Sequence, residues 1–137
     1  MKETEKYRFA NENATDIGIQ YEIPTDGLFQ VHWSNGNLRY EWYYKNGKRA
    51  DGVSKSWHEN GQLKQEITWK DGKLDGLYSW FYPSGQKRKE GTFKNGKENG
   101  LRTFWYENGQ IKSEKIYKDG EIISKSKWNE DGKSKKI

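Results

Sequence analysis

The chain has 137 residues, with two histidines, His32 and His58, and no cysteine. Disulfides, thiolate metal sites and cysteine nucleophiles are therefore excluded. The histidines occupy non-equivalent places in the pattern described below, and neither belongs to a paired metal-ligand motif such as HExxH. They read as polar residues on a sheet surface. No serine lies in a nucleophile-elbow motif. Loops that cradle phosphates precede helices, and no turn here is followed by a helical pattern. One carboxylate column recurs, Glu41, Glu66, Glu90 and Glu114, and glycosidases do use two carboxylates. Each of these stands two residues from a base, Arg39, Lys64, Arg88 or Lys112, and Lys45, Lys70, Lys94 and Lys118 follow four residues on. Such alternating charge keeps strands soluble and protects their edges, each exposed pair being worth about 0–1 kcal/mol. The expectation is a protein with no catalytic residue, no cofactor and no metal, and hence not an enzyme.

Binding is the chemistry these residues favour. Trp57, Phe81, Trp105 and Trp128 form a repeated aromatic column, and Lys64, Arg88 and Lys112 form a basic column. A lone ring in such a column is explained by a second buried layer or by cover from Lys and Arg stems. A contiguous exposed row marks an interaction surface instead, and Trp, Tyr and Arg are favoured as binding anchors. These seven residues are the candidate partner-binding set.

The elements that position them follow from a repeat. Gly52, Gly76 and Gly100 are 24 residues apart, as are Gly61, Gly85 and Gly109, and Gly72, Gly96 and Gly120. Gly27, Gly36 and Gly47 open a copy 25 residues earlier, and a half copy with Trp128 and Gly132 closes the chain, Ile123 standing at its opening glycine. Each copy holds two short aromatic and β-branched segments between Asn-Gly or Asp-Gly turns, too short for helices. Asn-Gly tolerates positive φ at both central positions, as a two-residue type I′ hairpin turn requires. The fold class is therefore all-β: tandem antiparallel hairpins in an elongated, single-layer twisted or curved sheet. Two-residue turns pair Glu59 with Gln62, His58 with Leu63 and Trp57 with Lys64. One face then collects Val31, Trp33, Leu38, Trp42, Leu63, Ile67, Trp69, Trp80, Tyr82, Phe93, Phe104, Tyr106, Ile111 and Tyr117, and is the better core candidate. The opposite face collects His32, Trp57, Phe81, Trp105 and Trp128 with both the basic and the glutamate columns. A turn one residue longer exchanges these pairings.

Two parts are expected: an N-terminal arm and capping strand, residues 1–26, and a repeat domain, residues 27–137. Ile17, Ile19, Tyr21 and Ile23 alternate with polar residues up to Pro24, a strand pattern that caps the first hairpin. Residues 1–16 are polar, and read as loose or briefly helical. At the other end Ser134, Lys135 and Lys136 replace the apolar register, as a protected edge does. Charged residues are 33% of the chain and aromatic residues 15%, with seven Trp and nine Tyr. The core must be thin and built from rings, each of which can bury about 150–250 Å². The net charge is +5, yet residues 1–26 carry three bases against six acids.

Gly76-Leu-Tyr-Ser-Trp-Phe-Tyr-Pro-Ser-Gly85 and Gly100-Leu-Arg-Thr-Phe-Trp-Tyr-Glu-Asn-Gly109 resemble the MORN-repeat variant, as do the Lys-rich second strands and the Asn/Asp-Gly-Lys turns after them. The resemblance covers residues 27–133. This variant occurs in bacterial proteins of the YwqK antitoxin type, and it implies a hairpin array that acts through binding, in some members to a toxin. The period is longer than in ordinary MORN repeats, with a second-strand glycine only at Gly91, so lipid contact is not carried over.

The functional expectation is a non-enzymatic protein-binding repeat protein, an antitoxin or immunity protein that occludes a partner protein such as a cognate toxin. The alternative is a cell-wall or carbohydrate-binding array, since Trp80-Phe81-Tyr82 before Ser84-Gly85 resembles the aromatic-glycine hairpins of choline- and glucan-binding repeats. Nucleic-acid binding ranks lower because the glutamate column interrupts a positive track. Open sheet edges suit a homodimer. No apolar run approaches the roughly 18 residues that span a bilayer, and Met1–Ala10 lacks a signal-peptide stretch, which points to a cytoplasmic location unless an export signal has been removed.

Overall fold

Each repeat uses its two turn glycines differently. At the second turns, Asn46, Asp71, Asn95 and Asp119 have φ of 49–51° and the following glycines 75–88°. Both central residues are left-handed, as a type I′ turn demands. At the first turns only the glycine is left-handed, Gly61 at φ 90° for example. There the Gly61 N–H donates to His58 O at 3.0 Å and the His58 N–H to Gln62 O at 2.8 Å. This is a three-residue loop with a glycine bulge, one residue longer than the expected two.

The consequences for register are the same in the first four hairpins. Trp57 pairs with Leu63, not with Lys64, and His58 with Gln62, not with Leu63. A second bulge then absorbs Lys64, so that Ser56 pairs with Gln65 and the hairpin body, down to Gly52 opposite Trp69, keeps the expected register. Arg39, Arg88 and Lys112 are the equivalent inserted residues. The basic column is thus the bulge column. A side-chain period of two means that one extra residue moves its neighbours across the sheet. Arg39, Lys64, Arg88 and Lys112 therefore leave the face assigned to them, and Leu38, Leu63 and Ile111 take their place beside His32, Trp57, Phe81 and Trp105.

The computed structural model describes the backbone of residues 4–8 and 21–135 and the side chains of residues 24–134. Strands β1 (Thr4–Arg8) and β2 (Tyr21–Pro24) form a two-stranded antiparallel sheet of their own. The first hairpin is β3 (Gly27–His32) with β4 (Leu38–Lys45), trailed by short β5 (Lys48–Arg49). The second is β6 (Gly52–Trp57) with β7 (Leu63–Lys70). The third is β8 (Lys73–Phe81) with β9 (Lys87–Lys94), trailed by β10 (Lys97–Glu98). The fourth is β11 (Gly100–Trp105) with β12 (Ile111–Lys118), and β13 (Glu121–Trp128) with β14 (Ser134–Lys135) closes the array. All from β3 onward lie in one antiparallel sheet in chain order, open rather than closed into a barrel.

The N-terminal expectation needs correction. Thr4–Arg8 is strand, not helix or loose chain, and among the described residues β2 hydrogen-bonds to β1 and not to the edge of β3. Ile17 and Ile19 lie outside the described residues. The arm is tied on through a turn: the Gly47 N–H donates to Thr25 O at 2.9 Å and the Asn46 N–H to Asp26 Oδ1 at 2.9 Å.

That tie recurs down the array. Asp71 N–H donates to Asp51 Oδ1, Asn95 N–H to Asp75 Oδ1 and Asp119 N–H to Asn99 Oδ1, at 2.8–3.2 Å. On the opposite edge a side chain from each first turn reaches a carbonyl of the next repeat: Trp33 Nε1 to Trp57 O, His58 Nε2 to Phe81 O, Tyr82 Oη to Trp105 O and Tyr106 Oη to Trp128 O, at 2.7–3.0 Å. Both long edges of the ribbon are therefore laced, which supplements the strand ladder in holding successive repeats together.

Candidate functional site

The two faces of the sheet have different chemistry. The front face carries the buried core side chains of the large sheet among the described residues: Phe29, Val31, Trp42, Tyr44, Tyr78 and Tyr117. The choice of core face therefore holds, but burial is uneven. The dense cluster of Phe29, Val31, Trp42 and Tyr44, each 2–7% exposed, belongs to the first hairpin alone. Further along, the equivalent positions turn polar and then basic. Phe29 is followed at its place by Ser54, Tyr78 and Arg102, and Trp42 by Ile67, Gly91 and Lys115. Cations lie over rings throughout: the Arg49 guanidinium is 4.7 Å from the Trp42 ring and 4.6 Å from Trp69. Each such contact is worth about 0.5–1 kcal/mol where solvent reaches it.

Gly91 and Tyr78 pair directly across β8 and β9. A Cβ at Gly91 would lie 2.6–2.7 Å from atoms of the Tyr78 ring. The missing side chain lets that ring lie down on the strand, and its hydroxyl donates to Glu98 Oε1 at 2.6 Å. Glu98 also accepts from Arg102 Nη1, at 3.1 Å through Oε2. Burial first, and then Glu98, pushes the Tyr78 phenol well above its ordinary value.

Three rows cross the back face. One is Leu28, Tyr43, Val53, Leu77, Leu101 and Ile116, all 40–55% exposed. Their registers, Leu28 with Tyr43, Val53 with Thr68, Leu77 with Thr92 and Leu101 with Ile116, set them in line across four hairpins. The glutamate column is the middle row: Glu41, Glu66, Glu90 and Glu114 lie opposite Gln30, Lys55, Ser79 and Thr103. Lys87 bonds Glu90 across the Arg88 bulge, which brings two residues three apart onto one face. The third row is the aromatic column, Trp57, Phe81 and Trp105, each half-buried and paired with Leu63, Lys87 and Ile111, and ending in Trp128 opposite Ser134.

The candidate set is thus divided. Its four rings keep the back face, while Lys64, Arg88 and Lys112 move to the front, where Arg88 lies 5.6 Å from the Tyr82 ring and Lys112 5.7 Å from Tyr106. Rings and bases share only the hairpin tips. A depression of about 250 Å³ is bordered by Lys64, Arg88 and Phe81 with His58, Gln65 and Trp80, and one of about 240 Å³ by Lys112 and Trp128 with Phe104, Tyr106, Ser113, Lys115 and Lys127. His58 is a strut between repeats, and its place is taken elsewhere by Trp33, Tyr82 and Tyr106. Among the described residues no three His, Asp or Glu side chains converge as metal ligands.

The exposed apolar row is the feature that motif reading passed over. Its signal was present in the residue after each opening glycine: Leu28, Val53, Leu77 and Leu101. Those glycines have φ of 95–121°, a left-handed start that only glycine adopts without strain, and the row follows in step behind them.

Compared with known proteins, the chain matches the family described as the MORN repeat variant in four places, residues 25–48, 50–71, 74–95 and 98–119. No curated protein matches it.

Proposed function

The chain belongs to the MORN repeat variant family, and on that premise we propose that it is a non-catalytic protein whose back face binds another protein. One observation carries the reading: six large apolar side chains, each 40–55% exposed, stand in a line across four hairpins. Scattered exposed leucines need no explanation, but an aligned row, interrupted only by Thr68 and Thr92, favours an interface. The parallel row of Trp57, Phe81 and Trp105 adds the ring types that anchor interfaces, and the glutamates between the rows favour a partner with bases facing them. A laced sheet presents this surface preformed, which limits the entropy lost on association.

The specific form we propose is an antitoxin or immunity protein that covers the working surface of a toxin. Resemblance to YwqK-type proteins supports this form. The test is affinity purification of the tagged chain from its native cells, with mass spectrometry of what is retained. We expect one stoichiometric protein, lost in a Leu77→Ser/Leu101→Ser variant whose circular dichroism is unchanged. We also expect that protein to arrest growth when expressed alone and not when co-expressed with this chain. Undiminished capture by the variant overturns the back face as the interface. Retention on cell-wall polysaccharide without a protein partner replaces the reading with carbohydrate binding.

A further inference from the structure

We propose that the C-terminal end of the front face is a second docking surface, which receives a carboxylate-rich segment of a protein on Lys89, Arg102, Lys115, Lys125 and Lys127. The proposal concerns the face opposite the apolar row and does not depend on that row being an interface.

The register places these bases together. Arg102 is directly opposite Lys115, and Lys115 directly opposite Lys125, on three adjacent strands. Lys127 is opposite Ser113 in the neighbouring line, where Phe104 is opposite both Ser113 and Lys89. Adjacent strands are about 4.8 Å apart, and like charges directly opposite one another are destabilising. Glu98 stands within this group, and it is held by Arg102 and the Tyr78 hydroxyl. The glutamate column that would neutralise the bases lies on the back face. Burial first, and then Arg102, lowers the pKa of both Lys89 and Lys115, so the crowding is felt by the ammonium groups themselves. An incoming anion relieves that repulsion.

Bases stand here at places that earlier repeats fill with apolar or small residues. Lys115 occupies the place of Trp42 and Ile67, and Arg102 that of Phe29 and Ser54. At the first hairpin this face is buried, whereas Lys125 and Lys127 are exposed.

The chemistry favours protein carboxylates over nucleic acid. Single-stranded nucleic acid is gripped by stacking bases on open rings, and the rings here are already faced by cations. Lys89 Nζ is 4.9 Å from the Trp80 centroid and 5.2 Å from Phe104, and the Arg102 guanidinium is 5.3 Å from Phe104 and 4.8 Å from Tyr117. The group of directly opposed bases is also short. Towards the N-terminus the same lines carry Ser54, Ser56, Gln65, Ile67 and Trp69, with Arg49 and Lys64 only at their border, so the five crowded bases cross β9, β11, β12 and β13, about 14 Å at ordinary strand spacing. That length suits a few carboxylates, which Arg and Lys bind through charge-assisted hydrogen bonds.

Fluorescence anisotropy with a labelled hexaglutamate peptide at low ionic strength, where such contacts are least screened, tests the proposal. The expected result is saturable binding, weakened about tenfold or more in a Lys115→Gln/Lys125→Gln variant. A Lys70→Gln/Lys94→Gln variant, which loses the same charge elsewhere, is expected to bind as the parent does. Absence of binding, equal weakening in the two variants, or tighter binding of a thymidine hexanucleotide or of phosphatidylglycerol vesicles overturns it.

Discussion

The Tyr78 hydroxyl donates to Glu98 while its ring covers Gly91, and both contacts can be tested by single substitutions. Gly91→Ala drives a methyl group into the ring, and overpacking of this kind costs about 1–3 kcal/mol. Urea denaturation is expected to show that loss, with the circular dichroism of the folded state unchanged. Tyr78→Phe keeps the ring and removes the donor, so at neutral pH it is expected to be less stable by about 0.5–1.5 kcal/mol. The pH dependence follows from the raised phenol pKa. Above the ordinary value of 10.0 the unfolded chain releases this proton and the folded chain keeps it. The unfolded state then binds fewer protons, so stability falls as pH rises. The contribution is complete below pH 10 and is lost above it. The gap between parent and Tyr78→Phe is expected to narrow there, and a gap that widens refutes the assignment. Gly91 was visible in the sequence as the one glycine inside a second strand. Its purpose was not, because it depends on the ring that the neighbouring strand lays over it.

At the scale of the hairpin, one dipeptide makes two turns. Asn46-Gly47 is left-handed at both residues, whereas Asn60-Gly61 is left-handed only at the glycine. Local partners accompany the difference. The Asn60 side chain accepts from the Gln62 N–H at 2.9 Å, while the Asn46 N–H is held by Asp26 of the preceding segment. A two-residue reading was therefore sound for one edge of the ribbon and one residue short for the other. That shortfall moved the basic column to the wrong face while leaving the hairpin bodies in register. The struts between repeats are likewise tertiary: Trp33, His58, Tyr82 and Tyr106 share a position but not a chemistry, and only their common target shows that they are equivalent. Tyr106→Phe removes the bond to Trp128 O. Amide exchange in β13 is expected to quicken by about fivefold, as the loss of roughly 1 kcal/mol of local stability implies, while exchange in β3 and β4 stays as it was.

Across the whole molecule, the front face grades from a buried aromatic cluster at the first hairpin to crowded bases at the last, and the back face repeats its apolar and glutamate rows across the first four hairpins. The glycine period, the all-β class, the hairpin order and the identity of the core-bearing face were all legible in the 137 residues. They rest on backbone rules that act within a few positions: which residues accept positive φ, and which alternate between faces. Which bases and rings share a surface was decided only by the folded sheet. A single inserted residue per hairpin exchanges faces, and whether the backbone inserts it depends on hydrogen bonds from the next strand and the next repeat. Contacts of that kind have no local signature until the strands lie side by side.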